Sequence, residues 1–121
     1  MTAVSLLRDV ASGEAPKLGR RVVVYGAGNT AMDAARTAMR DSDVAAVYLC
    51  SLESLAEMPA DLVEIEEGDE EGIQRRNGLG PVEILKNESG AVRGVVFRRC
   101  LSVYDANRRF ASDASHELRG P

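Results

Sequence analysis

The stretch RRVVVYGAGNTAMDAAR, residues 20–36, constrains the fold more than any other part of the chain. Arg21 to Tyr25 is an almost wholly apolar run ending at glycine, as expected of a strand buried on both faces in a parallel sheet. From Ala31 to Arg40 the spacing becomes helical, with Met32, Ala35 and Met39 on one face and Asp33, Arg36 and Arg40 on the other. Between them lies GAGNTA. Gly26 permits the tight turn at the strand end, Gly28 lets a pyrophosphate approach the backbone, and Ala31 allows helix to pack closely on strand. The free amides near Asn29 and Thr30 open the helix, and its dipole favours phosphate there. The alternative is a βα turn that uses glycine for geometry alone.

The rest of the chain fits an alternating unit with a β-rich tail. Val4 to Val10 reads as a short amphipathic helix, followed by the linker ASGEAPKLG. Val44 to Leu49 is a second buried strand, and Pro59 suits the first turn of a helix running to about Glu71. Gly68 and Asp69 fall where the stripe from Leu62 and Ile65 should continue, which weakens that helix, and a short third strand is expected near Ile73. Beyond Gly80 the period becomes two: PVEIL, a KNESG loop and AVRGVVFRRCLSV read as a hairpin. The fold class expected is α/β: a truncated, three-layer Rossmann-like parallel sheet, strand order 3-2-1, followed by an antiparallel β-meander. Its segments are a leading helix and linker (1–19), a βαβα core (20–76), a meander (80–110) and a tail (111–121) without pattern, expected to be disordered.

A Rossmann unit places an acid after its second strand to hold the adenosine ribose. Glu53, in VYLCSLES, occupies that place about 25 residues after Gly28, somewhat beyond the roughly 20 of the motif. A solvated loop glutamate is the plainer reading. With 121 residues the chain suffices for one domain. A net charge of -4 gives no electrostatic footprint for nucleic acid or an anionic membrane, and no apolar run approaches the roughly 20 residues needed to span a bilayer. Cys50 and Cys100 stand alone, as small buried hydrophobes in a reducing, cytoplasmic setting. Tyr25, Tyr48 and Tyr104 lack the lysine four residues on that a short-chain dehydrogenase needs, His116 is the sole histidine, and no His/Cys cluster has metal spacing. The acidic run from Glu53 to Glu71 reads as a solvated helix face.

GRRVVVYGAGNTAMDAARTAMRD, followed by LESLAEMPAD, EIEE, EEGI, GPVEIL and VVFRRCLSVYDANRRF, resembles the pyridine nucleotide domain of glutamate synthase small-subunit-like oxidoreductases. These belong to the wider FAD-dependent pyridine nucleotide-disulfide oxidoreductase class. The resemblance covers about 110 residues, and NTAMDAARTA and EMPAD in that order are its specific elements. It implies a domain that binds NAD(P)H and passes hydride to an FAD held by a separate domain. On that basis Gly26, Ala27, Gly28, Asn29, Thr30 and Ala31 form the cofactor turn, and Asp33 matches an acidic position near the nicotinamide end. Read from the residues alone, Asp33 is an exposed partner for Arg36 or Thr37.

Departures from the family sharpen the expectation. Many relatives carry YRRSREEMPA, whose arginines hold the 2′-phosphate of NADP; here the residues read SLESLAEMPA, with Leu52, Glu53 and Leu55 where those arginines would fall. NAD(H) is therefore expected over NADP(H). The chain carries no second GxGxxG for an FAD, no iron-sulfur cysteine array, and not the further strand with which the family closes this domain. It reads as one domain of a larger flavoprotein, with FAD in the parent protein and the FAD-binding half as its partner. Alone it is expected to leave NADH unoxidised, and an open sheet edge provides a route to self-association. Two other classes remain open: a methyltransferase-like nucleoside binder, disfavoured by GAGNT in place of GxGxG, and an interaction domain that retains only the fold.

Overall fold

The computed structural model describes residues 3–14, 17–100 and 117–119. Helix α1 (Ala3–Ala11) leads to strand β1 (Arg21–Tyr25), helix α2 (Asn29–Met39) and strand β2 (Ala46–Cys50). A 3₁₀ turn (Leu55–Glu57), helix α3 (Leu62–Glu70) and strand β3 (Gln74–Arg76) follow. Strands β4 (Leu79–Lys86), β5 (Val92–Arg99) and β6 (Glu117–Arg119) complete the described chain. It divides into two compact units, Met1–Cys50 with Met58–Arg76, and Ser51–Glu57 with Asn77–Pro121.

In the first unit β1, β2 and β3 form a parallel sheet in the order β1-β2-β3, which is the expected 3-2-1 arrangement. The helical crossovers require parallel neighbours, and the register aligns Tyr25, Cys50 and Arg76 across the strand ends. Helix α2 comes close to the sheet because the face it buries is nearly all alanine: Ala31, Ala34, Ala35 and Ala38, with Met32 as the single large side chain. These residues, except Ala34, share one core with Val47 and Leu49 of β2, Ala27, Met58, Ala60, Ile65 and Ile73.

Helix α3 is shorter than expected and buries a different face. Leu62 is 62% exposed, so the stripe predicted through Leu62 and Ile65 keeps only Ile65. Gly68 does not interrupt the packing; it is where α3 meets α2. A Cβ there would lie 2.7 Å from Met32 Cε, so the missing side chain leaves room for the methionine.

The acidic run is only partly a solvated face. Arg36 of α2 donates to Glu64 and Glu71 and pairs with Glu67 at 3.1 Å, while Arg40 reaches Glu71 at 3.2 Å. Two helices are thus tied by charge as well as by methionine on glycine. Burial pushes the Glu71 carboxyl up, but hydrogen bonding from Arg36 and the charges of Arg36 and Arg40 outweigh it and hold the group below its ordinary 4.5. The folded state therefore favours ionised Glu71. This contribution to stability is complete above pH about 4.5 and disappears as pH falls through the lowered value of the folded protein. The melting temperature should fall less steeply between about pH 5 and pH 3 in Glu71→Gln than in the wild type. Parallel slopes would remove Glu71 from the acid response.

In the second unit β4 and β5 pair as an antiparallel hairpin. Asn87 closes its loop, Oδ1 accepting from the Ser89 and Ala91 amides while its own N–H donates to the Ala91 carbonyl. Leu79, Val96, Phe97 and Cys100 are buried. β6 pairs antiparallel with β5, matching Val96 with Arg119 and Arg98 with Glu117. It lies in the tail for which no element was expected, because Glu117-Leu118-Arg119 has no apolar alternation. The meander's expected continuation past Cys100 and most of the tail lie outside the described residues.

Candidate functional site

The chain leaves β1 at Tyr25 and turns at once. The Gly26 amide donates to the Cys50 carbonyl at 2.9 Å, which starts the turn level with the ends of β1 and β2. Gly26 has no alternative there, since a Cβ would sit 2.9 Å from Ala31 Cβ. Ala31 itself is buried against the core. Both residues serve the close approach of helix to strand.

Gly28 differs. It is the N-cap of α2 with φ -92 and ψ 178, extended backbone open to any residue. A Cβ at this position would meet nothing nearer than Pro59 Cγ at 4.0 Å. Gly28 has no side chain with which to cap the helix, and among the described residues no side-chain cap hydrogen bond is made at this end.

The wall beside the turn comes from residues 58–61. The Ala60 amide donates to the Ala27 carbonyl at 3.1 Å. The Asp61 amide donates to Asn29 Oδ1 at 3.0 Å, and Asn29 Nδ2 donates to Asp61 Oδ2 at 3.4 Å. Residues 58–61 carry part of the EMPAD element, whose role no periodicity reveals, because its partners lie about 32 positions away in the chain.

The structure brings Gly26, Ala27, Gly28, Asn29, Thr30 and Ala31 together in this turn. Asp33 lies one turn further along α2, exposed, in a groove with Leu7, Arg36, Thr37 and Arg40. Arg36 is turned to the glutamates of α3. Glu53 follows the end of β2 by three residues and belongs to the second unit. Its carbonyl accepts from Ser51 Oγ at 2.9 Å, Asn77 Nδ2 at 3.2 Å and the Gly78 amide at 3.2 Å, which fixes the backbone of the loop.

Two basic residues stand at the end of β3. Arg75 makes a two-pronged contact with Asp69, at 3.3 and 3.0 Å. Arg76 lies over the Tyr48 ring, 5.7 Å from its centroid, and donates to Gln74 at 3.2 Å. Burial pushes the Cys50 thiol up to about 11 even though the Arg76 charge opposes it, so Cys50 is an inert thiol at neutral pH. Cys50 and Cys100 are free and buried. Among the described residues no group of His, Cys, Asp or Glu is arranged to hold a metal ion, and no helix is long and apolar enough to cross a membrane.

No family model matches the chain. Over 107 residues it is 36% identical to the NADPH-Fe(3+) oxidoreductase subunit beta of Geobacter sulfurreducens, covering 88% of this chain and 16% of that protein. It is 38% identical over 79 residues to the glutamate synthase (NADPH) small chain of Escherichia coli K12, covering 64% and 16%. To the NADP(+)-dependent formate dehydrogenase subunit beta of Moorella thermoacetica it is 37% identical over 93 residues, covering 76% and 13%. The chain thus spans 16% or less of the length of these relatives. Among solved structures, the thioredoxin reductase of Lactococcus lactis superposes with a TM-score of 0.63 over 94% of this chain and 32% of that one. At 16% identity that likeness concerns the fold.

Proposed function

The chain is homologous to part of the glutamate synthase small-subunit-like, FAD-dependent pyridine nucleotide-disulfide oxidoreductases, and from that premise we propose that it is their nicotinamide-nucleotide-binding domain. The observation that carries this reading is Gly28. Its backbone suits any residue and a Cβ would have room beside Pro59, so the fold itself makes no demand for glycine. A ligand that must reach the backbone does. The uncapped amides at the start of α2 are the matching donors for a diphosphate.

The residues present fit such a group. Amides from Gly28 to Thr30 hold the diphosphate, and the α2 dipole favours its charge. Glu53 accepts hydrogen bonds from the adenosine ribose hydroxyls, which makes NAD(H) the preferred nucleotide. Asp33 stands further along the same helix, toward the nicotinamide end. When bound, the nicotinamide supplies a hydride for the flavin of the parent protein. The FAD-binding part of that protein is the partner of this domain, and its buried free thiols suit a cytoplasmic protein.

Two glycine substitutions test the assignment. Gly28→Ala should change stability by no more than about 1 kcal/mol, since loss of unfolded-state entropy and loss of a tolerated N-cap residue oppose each other. It should nevertheless weaken NADH binding about ten- to hundredfold, or about 1.4–2.8 kcal/mol, because the methyl group stands where the diphosphate approaches. Gly26→Ala should destabilise the fold itself through the clash with Ala31. Denaturant unfolding and NADH titration of both variants separate the effects. Unchanged NADH affinity in a folded Gly28→Ala protein would defeat the proposal.

A further inference from the structure

We propose that Asn29 and Asp61 form a positioning pair that holds residues 58–61 against the glycine turn and so sets the shape in which that turn meets a nicotinamide nucleotide. The inference rests on the nucleotide-binding reading above.

Three contacts close this wall: Ala60 N–H to the Ala27 carbonyl, Asp61 N–H to Asn29 Oδ1, and Asn29 Nδ2 to Asp61 Oδ2. They bracket Gly28, for which Pro59 is the nearest neighbour of an added Cβ. What Asp61 leaves undone is informative. It stands at the N-cap of α3, where an aspartate ordinarily accepts from the amides of the first helical turn, yet its side chain makes no cap hydrogen bond. It reaches instead to the first residue of α2. Asn29 uses both ends of its side-chain amide on Asp61. The side chain of Asn29 is therefore engaged by the chain, and its service to a ligand is through the backbone it steadies.

The pair makes a prediction whose sign separates positioning from simple charge. Asp61 places a carboxylate beside a site for an anionic diphosphate. If charge alone mattered, Asp61→Ala would tighten NADH binding. If the residue positions the turn, the same change weakens it. The two residues also act as one unit, so their losses do not multiply.

The experiment is a double-mutant cycle on the 121-residue chain, titrating NADH against wild type, Asn29→Ala, Asp61→Ala and the double variant, with Asp61→Asn as the conservative control. Each alanine variant should bind NADH about five- to tenfold more weakly, and the double variant within about twofold of the weaker single. Asp61→Asn keeps an acceptor for Asn29 and should stay within about twofold of wild type. Amide exchange at Ala60 and Asp61, measured without nucleotide, should quicken in the alanine variants and not in Asp61→Asn. Tighter or unchanged binding in Asp61→Ala, multiplicative losses, or unaltered exchange each overturn the pair while leaving the nucleotide reading intact. A wild type that binds neither NADH nor NADPH removes that reading and the inference with it.

Discussion

NADH is expected to bind this chain about ten- to hundredfold more tightly than NADPH, and Glu53→Arg is expected to narrow or reverse that order. The reason is the distribution of charge after β2. From Asp41 to Gln74 there is no Lys or Arg, and in the proposed reading Glu53 is the acid that follows the second strand and takes the adenosine ribose hydroxyls. A carboxylate accepts from the 2′- and 3′-hydroxyls of NAD. With NADP it faces a phosphate. Two like charges about 5 Å apart cost about 3 kcal/mol at an effective dielectric of about 20, and less where water screens them. The next basic residues along the chain are Arg75 and Arg76. The first is paired with Asp69, and the second lies over Tyr48 with a hydrogen bond to Gln74, so both guanidinium groups already have partners. Three relatives carry NADPH or NADP(+) in their names, which makes the comparison a demanding one. Titrating both nucleotides against wild type and Glu53→Arg decides it. Equal affinities in the wild type, or no response to the substitution, would remove Glu53 from the site.

The parts legible in the sequence are those where local pattern and tertiary demand agree. RVVVY followed by GAGNTA and an alanine-rich helix announces a buried strand, a tight turn and a closely packed helix, and all three are present. The parallel order of the sheet follows from the helical crossovers. Where the two levels part, periodicity misleads. Gly68 looks like a break in an apolar stripe because the side chain that fills its position belongs to Met32, 36 residues earlier. Leu62 looks like core and is exposed, because α3 presents Ile65 and Gly68 to α2. Glu64, Glu67 and Glu71 look like a solvated face until Arg36 is seen among them. β6 has no sequence signal, since backbone pairing to β5 needs none. The glycine turn was readable as a motif, but Asp61 was not readable as its neighbour: a contact with Asn29 about 32 positions away leaves no trace in local spacing.

The contact between Met32 and Gly68 leads to a second large effect, one that changes sign with background. Met32 is 1% exposed and is the largest of the fully buried side chains among the described residues. Truncating it to alanine should cost about 2–5 kcal/mol, combining lost transfer energy with the cavity left behind. In the wild type, Gly68→Ala should also destabilise, by about 1–3 kcal/mol, because the new methyl would lie 2.7 Å from Met32 Cε and would force that side chain from its packed position. Alanine is otherwise the better helix former by about 1 kcal/mol. Once Met32 is shortened, the obstacle is gone and the methyl at position 68 enters the space it vacated. Gly68→Ala should then be neutral or stabilising, so that the double variant is more stable than the sum of the two single losses by about 1–3 kcal/mol. Denaturant unfolding of the four proteins measures this coupling directly. Additive losses would mean that Gly68 is set by something other than the methionine, and that α3 meets α2 by a different contact.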